Sequence, residues 1–194
     1  RRGLLSARRF KVLATMFLVA ITVAAWARFV EPRVLRTAEH DLEVCAGAEG
    51  TLRAAVFSDS HNGLFGNIMP VHRIVDRVLE VEPEIVLIPG DFTYYLEPDQ
   101  MAETFAPLAR LDMPVYAVMG NHDEGYPGPD LTGPLSQTLE NLGLIVLDGA
   151  VADLRHDGDL IRIVGMQDHW AARGRVQNPV PAQPAEPADF TIYL

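Results

Sequence analysis

The stretch PVYAVMGNHDEG, residues 114–125, runs from an apolar segment straight into Gly120, Asn121, His122 and Asp123. An Asn is a poor core residue, and a His beside an Asp is more polar chemistry than a reverse turn requires. Taken alone, the stretch is either a Gly/Asn turn with a solvated His–Asp pair or a strand whose end carries a reactive site. A short motif does not decide between them; the other strand ends do.

Working outward, the body of the chain alternates between two periodicities. LRAAVF (52–57), EIVLIP (84–89), PVYAVM (114–119) and LIVLD (144–148) are short apolar runs that predict buried strands. Between them, VHRIVDRVLEV (71–81), DQMAETFAPLARL (99–111) and PLSQTLENLG (134–143) have the spacing of helices. Pro70 and Pro83 bracket the first, Asp99 is expected to cap the second with Pro107 kinking it, and Gly143 ends the third. VADLRHDGDLIRIVG (151–165) predicts a hairpin turning at Asp157 and Gly158, NPVPAQPAEPAD (178–189) an exposed Pro-rich loop, and FTIYL (190–194) a further strand. The fold class is therefore α/β, built of βαβ units around a largely parallel sheet. In such sheets, function collects at the carboxyl ends of the strands.

Those ends are where the polar residues lie. The first strand runs into FSDSHNG (57–63), with Asp59, Ser60, His61 and Asn62. The second runs into IPGDF (88–92), with Asp91, and the third into GNHD. Asp59 and Asp91 are 32 residues apart, and Asp91 and Asn121 are 30 apart, each about one βαβ unit. Three adjacent parallel strands would bring these side chains to one rim. Asp59 and His61, at i and i+2, can converge there. Asp91 offers two oxygens and Asn121 a neutral carbonyl oxygen. Mixed oxygen and imidazole donors suit Mn, Fe, Zn or Mg. Three unrelated capped turns would not be expected to recur in this order.

Asp59-x-His61, Gly90-Asp91 and Gly120-Asn121-His122-Asp123 resemble the first three motif blocks of the calcineurin-like metallophosphoesterases. FVEP (29–32) and the DSHNG variant resemble its membrane-associated branch, which includes phosphodiesterases and UDP-2,3-diacylglucosamine pyrophosphatase-like enzymes of lipid A biosynthesis. The resemblance implies a metallophosphoesterase sandwich that hydrolyses a phosphodiester or pyrophosphate with two divalent metal ions and a bridging hydroxide. It implies that Asp59 and His61 bind one metal, that Asp91 bridges both and that Asn121 binds the second. His122 would be the catalytic histidine serving the leaving oxygen, with Asp123 orienting it. The family carries two further blocks, a His after a later strand and a Gly-His-x-His, which do not occur before Leu194. The expectation is that residues 51–194 are the N-terminal part of such a domain, binding one metal tightly and turning over slowly as this chain. The alternative is a membrane-anchored, non-catalytic remnant. His169, in GMQDHW, and Asp168 are weaker candidates near the rim; His40, His72 and His156 are expected away from it.

Composition sets the remaining bounds. At 194 residues, 48% hydrophobic and 22% charged, the chain is ordinary globular material. A net charge of -10 argues against a nucleic-acid partner. Cys45 is the only cysteine, so no internal disulfide forms, and an inert thiol is expected. Five basic residues among Arg1–Lys11 precede VLATMFLVAITVAAWA (12–27), which carries no charge. Phe10 to Val30 spans 21 residues, about 31 Å of helix and close to the ~30 Å of a hydrocarbon core. The arrangement predicts a basic cytoplasmic tail (1–9), a transmembrane anchor (10–30) with Lys11, Trp26 and Arg28 at its interfaces, a connector (31–50), and a domain on the outer side of the membrane. A leader cleaved after Ala27, at the AWA site, is the alternative, and it sends the domain to the same side. The sequence opens on Arg1 rather than Met, so residues before it are expected.

Overall fold

A computed structural model of the chain describes residues 6–44, 50–64, 68–168, 180–184 and 186–194. Cys45, His169, the first five residues of the basic tail and part of the Pro-rich loop lie outside these. The described chain forms two units, Arg1–His40 and Asp41–Leu194.

The first unit is a helix, α1 (Ala7–Phe29), followed by a short 3-10 turn, Glu31–Arg33. No residue of α1 is buried and its apolar side chains face all directions, which is how a membrane-spanning helix differs from an amphipathic core helix. Residues Ala7–Arg33 are long and apolar enough to cross a bilayer. The Thr22 hydroxyl donates back to the Leu18 carbonyl at 2.9 Å, so this polar atom is satisfied within the helix. At the C-terminal end, Trp26 Nε1 donates to Glu31 at 3.1 Å and Arg33 donates to the Phe29 carbonyl at 2.6 Å. Arg33 thereby meets the orphan carbonyls that every helix leaves at that end.

The second unit is organised by a four-stranded sheet in the order β1 (Ala54–Val56), β3 (Ile85–Ile88), β5 (Val115–Ala117), β6 (Ile145–Val146), and all three pairings are parallel. Every residue of β3 is buried, because both faces of the sheet are covered. On one face, Val86, Ile88 and Ala117 pack with Val75 of α2 (Val71–Val81), Met101 and Phe105 of α3 (Pro98–Phe105), and Leu135 and Leu139 of α4 (Thr132–Asn141). On the other, Ile85, Leu87, Tyr116 and Val118 meet Leu147 and Ile163. Ile163 belongs to a second sheet of β7 (Val151–His156), β8 (Asp159–Val164) and β9 (Phe190–Tyr193), in which β7 and β8 form the expected hairpin. Arg162 crosses this second sheet as a buried cation, 2% exposed, held by both Asp153 oxygens at 2.8 and 2.9 Å and by the Glu186 carbonyl at 2.8 Å. That pairing lowers the Asp153 carboxyl below its usual range.

Two local expectations are corrected. Helix α3 begins at Pro98 with Glu97 as its N-cap, so Asp99 sits in the first turn near the helix dipole and caps nothing. The 99–111 segment does not continue as one helix; it tightens to a 3-10 turn over Ala106–Arg110, where Pro107 cannot supply an α-helical amide. A pairing that periodicity does not signal also appears. Two-residue strands β2 (Asn62–Gly63) and β4 (Thr93–Tyr94) pair in parallel just past the ends of β1 and β3.

Candidate metal centre

The rim is built by backbone before any side chain meets another. Past β1 and β3 the two chains stay bonded side by side: Asp59 N–H donates to Gly90 O at 3.2 Å, His61 N–H to Asp91 O at 3.0 Å, and Asn62 N–H to Phe92 O at 2.9 Å. Asn62 is fully buried, and its amide nitrogen donates to Ser60 Oγ and the Phe92 carbonyl. Keeping both chains alongside while their side chains turn inward strains the backbone. Asp59, His61 and Asp91 all adopt left-handed conformations, with φ of 56°, 41° and 56°, at about 1–3 kcal/mol each. The third strand end presses in close. A Cβ on Gly120 would lie 2.0 Å from Asp91 Oδ1, so only glycine lets this segment reach the carboxylate.

Asp91 is the centre of the arrangement. Its Oδ2 lies 3.1 Å from His61 Nε2, and its Oδ1 accepts the His122 backbone N–H at 3.1 Å. Its side chain is 14% exposed, against 37% for His61 and 64% for Asp59. His61, Asp91 and His122 each offer a ligand atom, and these atoms lie within 4.8 Å of one another. Asp59 stands at the open side of this group, its Oδ1 3.8 Å from His61 Nε2. Asn121 gives its amide nitrogen to the Tyr126 carbonyl, so Oδ1 is the atom it would offer a cation.

The donor set fits a divalent cation. Two imidazoles and a carboxylate converge, and His122 Nδ1 is buried with no hydrogen-bond partner. A buried polar atom left unpaired is costly and calls for a partner that the protein does not supply. The surroundings point the same way. Glu124, partly buried, is pushed up to about 7 by burial first and then by the charges of Asp148, Asp168, Asp130 and Asp123. A rim this acidic repels a phosphate unless bound cations reverse its sign.

His122 and Asp123, adjacent in sequence, point to different partners here. His122, set apart from the ligands as a catalytic residue, has a ring nitrogen in the same group as the His61 and Asp91 atoms. Asp123, expected to orient His122, faces elsewhere. It is 0% exposed, with Oδ1 accepting from Thr93 N–H at 2.9 Å and Thr93 Oγ1 at 2.8 Å. Its Oδ2 accepts from Phe92 N–H at 3.2 Å and Gly120 N–H at 3.0 Å. Asp123 is thus a clamp tying the second strand end to the third. Burial raises its carboxyl above the usual range, against the downward pull of these donors. Two rings meet His122: Tyr94, at 4.7 Å between centroids and 75° between planes, and His61, at 4.7 Å and 72°. Tyr94 belongs to none of the motif blocks; its only signal in the sequence is the aromatic pair Tyr94-Tyr95 just after Gly90-Asp91. His40 and His72 are exposed, as expected. His156 bonds the Thr51 carbonyl at 2.9 Å and faces Glu84, just before β3, at 3.7 Å.

The family model for calcineurin-like phosphoesterases matches residues 52–181. An uncharacterized metallophosphoesterase of Bacillus subtilis, YkuE, is 27% identical over 122 residues, covering 60% of this chain and 42% of that protein. The chain therefore spans less than half the length of this relative. Among solved structures, one described as a novel archaeal phosphodiesterase is 16% identical with a TM-score of 0.41, over 73% of this chain and 72% of that one. A protein of unknown function from Aquifex aeolicus is 20% identical with a TM-score of 0.34, over 57% and 59%.

Proposed function

The chain belongs to the calcineurin-like phosphoesterases, and from that premise we propose that the protein hydrolyses phosphoesters at the rim formed by Asp59, His61, Asp91, Asn121 and His122. The observation that carries the reading is the meeting of His61 and Asp91 at 3.1 Å on one rim, with Asp59 at its open side and the His122 ring against them. Asp91, the least exposed of the three acidic and imidazole groups at the Asp59 side, would be shared between two divalent ions, with His61 and Asp59 on one and Asn121 on the other. Bound divalent ions would supply Lewis acidity toward the phosphoryl oxygens and a water acidic enough to attack phosphorus near neutral pH. The protein's own groups do the rest. Asp91 meets the His61 ring through one oxygen and the His122 backbone through the other, so one carboxylate ties the first strand end to the third. His122 holds a proton for the departing oxygen.

The helix Ala7–Arg33 supports single-pass anchoring, with the basic tail in the cytoplasm and the domain outside. An anchored phosphoesterase would meet lipid-linked phosphodiesters or pyrophosphates, which we propose as its substrate class.

The test is a pair of variants assayed on aryl phosphodiesters. Asp91→Ala should lose both metal and turnover. His122→Ala should retain metal while losing about 10²–10⁴-fold on poor leaving groups. Full turnover in Asp91→Ala refutes the reaction, and metal loss in His122→Ala refutes the role given to that histidine.

A further inference from the structure

The orientation of His122 has no evident hydrogen-bonded cause. Its backbone N–H is tied to Asp91, which places the residue but leaves the ring free to turn. Its Nδ1 is buried without a partner, and the neighbouring Asp123 is occupied by Phe92, Thr93 and Gly120. The ring is instead boxed by two others. Tyr94 meets it edge-to-face at 4.7 Å and 75°, and His61 meets it at 4.7 Å and 72°. Tyr94 also reaches the His61 ring, at 6.1 Å and 46°. It is the one member of this trio that offers no metal-ligating nitrogen.

Tyr94 is suited to act as a wall because it is itself held. It pairs with Gly63 in the β2–β4 ladder, its carbonyl accepts the Leu64 N–H at 2.8 Å, and its ring abuts Tyr95 at 5.0 Å and 78°. A Cβ on Gly63 would lie 2.3 Å from the Tyr94 carbonyl, so the close approach of the two strands is itself conditional on that glycine. Edge-to-face packing prefers a defined ring angle, so a fixed Tyr94 selects among His122 rotamers where no hydrogen bond does.

We propose that Tyr94 is the positioning residue for His122, setting the imidazole by ring–ring contact so that it faces the departing oxygen. This rests on the role proposed for His122. A contact of this kind requires an aromatic ring at position 94 and does not require the phenol hydroxyl.

Tyr94→Leu removes the ring, and Tyr94→Phe keeps it. In Tyr94→Leu, kcat on an aryl phosphodiester with a poor leaving group should fall about 10–100-fold, because a small misplacement of a catalytic group costs rate on that scale. Good leaving groups, which need little proton donation, should be nearly unaffected, and zinc content should be retained. Tyr94→Phe should restore the poor-leaving-group rate. A second readout does not depend on turnover. In the zinc-loaded full chain with ring-labelled histidine, the His122 resonance, assigned by its loss in His122→Gln, should shift and broaden in Tyr94→Leu and return in Tyr94→Phe. Should Tyr94→Leu fail to fold, Tyr94→Met serves as the ring-free variant. An unmoved His122 resonance in the ring-free variant overturns the inference, as does a Tyr94→Phe variant as impaired as the ring-free one. If the parent chain hydrolyses no phosphoester, the resonance still decides the role of Tyr94, and the failure belongs to the proposed reaction.

Discussion

Replacing Asp123 by Asn tests whether this residue clamps the rim or serves its chemistry. The carboxylate accepts four hydrogen bonds, two on each oxygen. An amide of the same shape keeps one oxygen and turns the other into a donor. Whichever way it sits, two of the four donors lose their acceptor, either Phe92 and Gly120 or the two on Thr93. The site is 0% exposed, so water does not replace the loss. Orphaned buried donors cost about 1–3 kcal/mol each, which puts Asp123→Asn near 3 kcal/mol. For a unit of this size, spanning Asp41–Leu194, that corresponds to a fall in Tm of roughly 6–12 °C. The assay is thermal unfolding of the metal-free chain, followed by circular dichroism, beside leaving-group dependence of turnover in the metal-loaded chain at a temperature where both proteins are folded. The clamp predicts a large Tm loss with little change in leaving-group dependence. A Tm within about 2 °C of the parent, together with a selective loss on poor leaving groups, would refute it and return Asp123 to the role of orienting His122.

Two further outcomes follow from the acidic rim and from α1. Glu124 is raised to about 7, so in the metal-free protein its contribution to stability is full below its unfolded pKa and is lost as pH rises from about 4.5 toward 7. Glu124→Gln should remove that part of the pH dependence and stabilise the metal-free chain at pH 8 by on the order of 1 kcal/mol, after discounting for partial exposure; an unchanged unfolding profile between pH 4.5 and 8 counts against the burial argument. Removing residues 1–30 should release the domain from the membrane fraction, and a parent chain already found in the soluble fraction would rule out the anchor.

The sheet was legible because its strands are short apolar runs covered on both faces. EIVLIP and PVYAVM fill β3 and β5, and Pro70 and Pro83 bracket α2 at Val71–Val81 as expected. The spacing of Asp59, Asp91 and Asn121 at about one βαβ unit was enough to place three polar ends on one rim. What spacing cannot carry is the direction of a side chain. Asp123 follows His122 in sequence, yet its partners Phe92 and Thr93 lie 31 and 30 residues away. The β2–β4 pairing depends on two chains continuing side by side past the sheet, and two residues are too few to show a period. Tyr94 reads as an ordinary strand aromatic until the third strand end brings His122 against it. Asp99 failed as a cap because Pro98, rigid at the first helical position, started the helix one residue earlier.

The left-handed backbone at Asp59, His61 and Asp91 bears on how this protein would respond to selection. Glycine adopts that conformation freely, so Gly at any of the three would relieve strain and also remove a carboxylate from an acidic rim or an imidazole from a packed one. Heat-resistance screening alone would therefore enrich variants that have discarded the centre, and thermostability would rise as the rim emptied. Directed evolution of this chain has to score function in every round, because at these three positions durability and chemistry pull the sequence in opposite directions.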